Sequence, residues 1–118
     1  MQRIDANVIL RYLLNDHMEM SAQAEQVIRE GADTMPEVLA EVVYVLRGVY
    51  HASRENIAEV LTHILSVVSV EHDAVMVRAV QIFADSSLDF VDCILIAYHE
   101  IEHVEVFSFD KKLMKRIL

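Results

Sequence analysis

Four acidic residues stand inside apolar stretches of this 118-residue chain. They are Asp5 in RIDANVIL, Glu41 in PEVLAEVVYVL, Asp92 in LDFVDCILIAY and Asp110 in VEVFSFD. Aspartate and glutamate are almost never fully buried unless paired, and a lone ionised carboxylate in an apolar interior is strongly unfavourable. A compensating cation on the same helix would sit three or four residues away. Those positions hold Glu37, Val38, Tyr44 and Val45 around Glu41, and Leu88, Asp89, Leu95 and Ile96 around Asp92. None is lysine or arginine. A cation must therefore come from elsewhere in the fold, or from solution as a divalent metal.

The length suits one domain spanning residues 1–118, and a hydrophobic content of 54% supports a sizeable core. Two glycines and one proline leave little of the chain for linkers and cannot build a glycine-rich phosphate loop. The single cysteine, Cys93, excludes an internal disulfide and favours a reducing, cytoplasmic setting. It lies in an apolar helical stretch and reads as a small core residue. The N-terminal stretch is interrupted by Asp5, Asn7 and Arg11, so it is neither a signal peptide nor a membrane span. The net charge of −9 repels nucleic acid at long range, which argues against a simple nucleic-acid-binding module. It argues less against an enzyme whose acids bind a metal, because the ion reverses the local field. Against this background Lys111, Lys112, Lys115 and Arg116 crowd the last eight positions, directly after Asp110.

The apolar spacing predicts short strands at residues 3–6, 32–35, 67–70 and 104–109, the last being the clearest. Helices are expected at residues 7–14, from a Ser21 cap to about Glu30, from Pro36 to about Tyr50, and after a Ser53 cap. Further helices are expected at residues 73–84 and 88–100, with a short basic helix at the end. Short buried strands alternating with longer helices argue for an α/β fold with a mainly parallel sheet flanked by helices. Ligands of such sheets gather at the carboxyl ends of the strands. Asp5 and Asp110 fall near predicted strand ends. Glu41 and Asp92 fall on helices able to pack there, so the four acids are expected to converge.

Carboxylate oxygens are hard ligands suited to Mg²⁺ or Mn²⁺. A pocket of four acids holds one ion, or two spaced about 3.5–4 Å apart, which lowers the pKa of bound water and neutralises a phosphodiester. The plainer reading makes each acid a solvated, ion-paired or capping residue.

The segments IDANVILRYLL, EVLAEVVYVL, LDFVDCILIAY and VFSFDKKLMK, in that order, resemble those of PIN-domain ribonucleases, above all the VapC-like toxins of toxin–antitoxin pairs. The resemblance covers nearly the whole chain. It implies a three-layer PIN-like fold with metal-binding acids at Asp5, Glu41, Asp92 and Asp110. It also implies a Mg²⁺- or Mn²⁺-dependent endoribonuclease acting on RNA, a homodimer, and an antitoxin whose tail blocks the acid pocket. Asn7 matches the polar residue that follows the first acid in this family. Ser108 stands where the family often has threonine. Asp89, one helical turn before Asp92, is an alternate ligand in this reading, or else an acid favoured by the helix dipole. Arg11, Lys111 and Lys112 are candidate contacts to RNA phosphates, or else parts of a solvated face.

Two rivals remain at this stage. One is a non-catalytic PIN-like interaction module whose acids receive a partner's arginines. The other is a phosphatase or phosphoacceptor using Asp5 as nucleophile, against which Asn7 stands where the phosphatase pattern needs aspartate. The stretch from His99 to His103 matches the zinc-protease pattern H-E-x-x-H. His103 directly precedes a predicted strand, so the helix that zinc binding needs is expected to end there.

Overall fold

Capping residues and one proline decide where the helices of this chain begin. A computed structural model describes residues 1–118. Strand β1 (Gln2–Arg3) gives way at once to helix α1 (Ala6–Leu14), because Asp5 caps it: its Oδ1 accepts the Val8 N–H at 3.0 Å. Helix α2 (Met18–Glu30) follows, then strand β2 (Ala32–Thr34). Pro36 sits in the first turn of helix α3 (Pro36–Gly48), where its missing N–H costs nothing. The Ser53 hydroxyl accepts the Asn56 N–H and starts helix α4 (Arg54–Val67). Strand β3 (Ser69–Val70), helix α5 (Asp73–Ala84), helix α6 (Phe90–Glu102) and helix α7 (Lys111–Ile117) complete the chain.

The three strands form a parallel sheet in the order β1-β2-β3, with Arg3 opposite Asp33 and Thr34 opposite Val70. Helices flank it, which is the α/β arrangement expected from the alternation of strands and helices. Twenty-seven buried residues form a single contiguous core. Leu39 and Val42 of α3, Ile57, Leu61 and Ile64 of α4, and Met76, Ile82 and Phe83 of α5 are fully enclosed in it. Spacings of three or four residues, as in Ile57, Leu61 and Ile64 or in Met76, Ala79 and Phe83, turn one face of each helix to the core. Burial of such a side chain contributes about 1.5–3 kcal/mol. Thr34 is one of two buried polar residues, with Ser21: its hydroxyl donates to the Ile4 carbonyl at 3.0 Å and ties β2 to the residue before Asp5.

Several boundaries differ from the sequence expectation. The predicted strand at residues 104–109 does not form. β-propensity measures fit to a pleated, half-buried surface with a neighbour to pair with; here β1 pairs only with β2, and Phe107 and Phe109 are 77% and 92% exposed. The first strand is shorter than residues 3–6 because the Asp5 cap turns Ala6 into helix. The third is shorter than residues 67–70 because α4 runs through Val67. Ser21 does not begin α2; His17 caps it through Nδ1, and the Ser21 hydroxyl instead donates to the Arg11 carbonyl at 2.8 Å.

Helices α5 and α6 make the most extensive contact in the fold. Arg78 of α5 reaches Glu100 of α6 with two hydrogen bonds, Nε to Oε2 at 2.6 Å and Nη2 to Oε1 at 3.2 Å. The Arg78 bond holds the Glu100 carboxyl below its ordinary value of 4.5. A depressed folded-state pKa adds stability that is complete above the unfolded value and is lost as pH falls through the folded one. Both side chains are 36% exposed, so solvent screening limits the pair to about 0.3–1 kcal/mol. Glu100→Gln should therefore lower unfolding free energy by that amount near pH 7. Urea melts at decreasing pH should show the gap to wild type closing below 4.5; a gap that persists in acid would contradict this role.

Candidate active site

Asp5, Glu41 and Asp92 lie opposite buried apolar neighbours, whereas Asp110 follows the exposed Phe107 and Phe109. Asp5, Glu41 and Asp110 are exposed and Asp92 is half-buried, while Ile4, Ala6, Val42, Val43, Cys93 and Ile94 beside them are buried. The expectation of acids enclosed among apolar groups is therefore corrected: water solvates the carboxylates and the neighbours supply the core. None of the four acids takes part in any of the ion pairs of the fold.

Helix starts position most of this set. Asp5 caps α1, and Asp110 caps α7 in the same way, its Oδ1 accepting the Leu113 N–H at 3.0 Å. Capping uses one carboxylate oxygen of each, so the plainer reading of these two acids is realised, and their Oδ2 atoms stay uncommitted. Asp89 is the N-cap of α6 but makes no side-chain cap bond, and Asp92 lies in the first turn of that helix. Burial raises the Asp92 carboxyl above its ordinary value, and the charges of Asp89 and Asp110 raise it further. Asp89, Asp92 and Asp110 thus share one electrostatic neighbourhood in which none of them forms a direct ion pair, although the charge of Arg54 reaches Asp89. Glu41 lies in the middle of α3, which packs against both α1 and α6. Asp5 lines a cleft beside α1 and α2, whereas Asp89 and Asp92 line another between α3 and α6, together with Tyr44 and Arg47. Glu41 lines neither.

The supporting residues are placed as follows. The Ser108 hydroxyl accepts the Asp110 N–H at 3.0 Å, so it acts on that acid through the main chain. Asn7 is exposed in the Asp5 cleft. Arg11 lines the same cleft and pairs with Asp16 at 2.9 Å. Lys111 and Lys112 are exposed in the first turn of α7; Lys112, Lys115 and Arg116 border a groove against Ser86 and Ser87. His103 stands beyond the end of α6 with φ 58°, and His99 Nδ1 lies 2.8 Å from the Val104 carbonyl, so the H-E-x-x-H pair does not share a helix face.

Fit to a divalent ion turns on donor chemistry and on spacing. All candidate donors are unpaired carboxylate oxygens, the hard ligands that Mg²⁺ and Mn²⁺ take. No group of three or more His, Cys, Asp or Glu side chains is drawn close enough to enclose an ion. Magnesium needs no such cage, being held by one or two carboxylates together with waters and substrate phosphates. The residues suit the ion by donor chemistry, while Asp5 lies in a different cleft from Asp92.

Arg54 escaped the sequence reading. Its Nε donates to the Phe83 carbonyl at 2.9 Å, its Nη2 donates to the Leu88 carbonyl, and its guanidinium lies 3.8 Å from the Phe83 ring centroid. Burial, and next the charge of Arg47, lower its pKa. It clamps the end of α5 to the residue that precedes Asp89, and so fixes the turn from which α6 presents its acids. One signal was present in the sequence: an arginine in the first turn of a helix opposes the macrodipole and needs another reason to be there.

Residues 4–117 match the family profile of the PIN domain, and the chain belongs to that family. Neither the curated proteins nor the solved structures contain a significant match.

Two measurements test this geometry. Arg54→Met should cost about 2–3 kcal/mol in urea unfolding, because it strands two carbonyls. Arg54→Lys should recover little, since an ammonium lacks the fork; a loss below about 0.5 kcal/mol for Arg54→Met would refute the clamp. For Asp92, a raised carboxylate pKa means that ionisation opposes folding at neutral pH. Asp92→Asn should therefore raise Tm at pH 7 by about 1–3 °C, with the gain fading as pH falls through the raised folded-state value and gone below the unfolded value of 3.8. A lowered Tm at pH 7 would contradict the crowding of charge at this residue.

Proposed function

We propose that this PIN-domain chain is a Mg²⁺- or Mn²⁺-dependent endoribonuclease, acting in the cytoplasm as a homodimeric VapC-like toxin held in check by an antitoxin. PIN domains are generally nucleases and typically use divalent metals. The observation that carries the reading to this chain is the state of Asp92. Its carboxyl is crowded by Asp89 and Asp110, and no lysine or arginine of the fold pairs with any of the three. Unpaired acids opening on a cleft oppose folding, and proteins retain such strain where a site needs it.

Asp92 and Asp110, with Asp5 and Glu41, would hold the metal, and Asp89 is an alternate ligand. When bound, the ion supplies a water of lowered pKa and neutralises charge on the phosphodiester. Ser108 supports Asp110 through the Asp110 main-chain N–H, and Asn7 stands free beside Asp5 in the same cleft. Lys111 and Lys112, which directly follow Asp110 in the first turn of α7, would hold RNA phosphates in a chain whose overall charge repels them.

The lack of a three-acid enclosure favours one competing reading, a non-catalytic interaction module whose acids accept a partner's arginines. One set of measurements separates them. The nuclease should cut a mixed single-stranded RNA in Mn²⁺, and Asp5→Asn and Asp92→Asn should each slow it by about 100-fold or more. Mn²⁺ should raise the Tm of the parent but not of Asp92→Asn. Unchanged cleavage in either variant would remove that residue from the site. No cleavage and no Mn²⁺ response in the parent would favour the interaction module.

A further inference from the structure

A cleft of about 690 Å³ opens between β1 and the α1–α2 hairpin, within the range of about 300–1,000 Å³ that small-molecule sites occupy. Asp5, Asn7 and Arg11 line one side; Met20, Gln23 and Val27 of α2 line the other. Asp5 caps α1 and Arg11 pairs with Asp16, but the fold makes no use of the other two polar side chains. Asn7 and Gln23 are exposed, and their carboxamides take part in no hydrogen bond within the protein.

Arg11 is built into the wall. Its side chain is 20% exposed, Nη1 is held by Asp16 at 2.9 Å, and Nε is buried without a partner. Its carbonyl accepts both the Asn15 N–H at 3.0 Å and the Ser21 hydroxyl at 2.8 Å, which fixes the turn between the two helices. The guanidinium is thus positioned with Nη1 engaged by Asp16 and Nη2 left without a partner in the fold. Such a fork suits a phosphate. Each carboxamide offers a donor beside an acceptor, the pattern that reads the edge of an unpaired base, while Met20 and Val27 offer apolar contact.

We propose that this cleft is a nucleotide subsite, in which Asn7 and Gln23 contact the edge of one base and Arg11 holds its phosphate next to Asp5. The assignment rests on the nuclease reading for its role, as the place where a nucleotide beside the cleaved bond would sit. It does not need cleavage in order to be observed.

The test uses the full chain in metal-free buffer. The four ribonucleoside 5′-monophosphates, the matching nucleosides and inorganic phosphate are titrated while backbone amide resonances are followed by NMR. At least one nucleotide should shift Asn7, Arg11 and Gln23 saturably at low-millimolar concentration. Its nucleoside should bind about tenfold more weakly. Arg11→Gln should erase that difference, and Arg11→Lys should keep part of it. Gln23→Leu, an exposed change that leaves the fold intact, should alter the order of preference among the bases but not the advantage of the phosphate. Shifts produced equally by inorganic phosphate, shifts confined to α7, or no saturable shift with any nucleotide would overturn the assignment. Because neither metal nor cleavage enters the measurement, a nuclease without this subsite and a nucleotide binder without nuclease activity give different results.

Discussion

An ionised carboxylate must keep either water or a cation, and the arrangement of this protein follows from the first choice. Asp5, Asp89 and Asp110 stand at helix starts, and Asp92 lies in a first turn. The partial positive charge of a helix N-terminus favours an acid there, and a capping oxygen satisfies an otherwise orphaned N–H. Helix geometry then sends the apolar residues on either side into the core. The acids remain at the surface without cations, while the fold draws its ion pairs from other acids, such as Asp33, Glu71 and Glu100.

The same constraint explains how much of the fold could be read from the sequence. Pro36 and Ser53 mark α3 and α4 because each carries its own local reason to begin a helix. The alternation of short strands and helices gives the parallel sheet, since parallel neighbours need a crossover. Residues 104–109 mislead because strand propensity cannot say whether a partner edge is there. Ser21 misleads because a serine that looks like a cap can equally bond to a carbonyl of the preceding helix, which is what its hydroxyl does with Arg11.

The candidate acids could be picked out from the sequence, but their arrangement could not. Residue type and spacing single out Asp92 and its neighbour Asp89, and the structure sets both in one cleft with the charge of Asp110 in reach. It gives Asp5 a different cleft and leaves Glu41 on the exposed face of α3. Such relations depend on how α1, α3 and α6 pack, which no local pattern encodes. Arg54 belongs to the same class: its function is to join two carbonyls about thirty positions away along the chain.

The central claim is that acids from separate segments serve one divalent ion. Anomalous diffraction from crystals soaked in Mn²⁺ tests it without reference to any substrate. The account predicts a manganese peak at the Asp92 carboxylate, with at least one of Asp5, Glu41 or Asp110 contributing oxygen to the same ion. A map with no peak at Asp92, or with manganese only at His99 and His103, would contradict it.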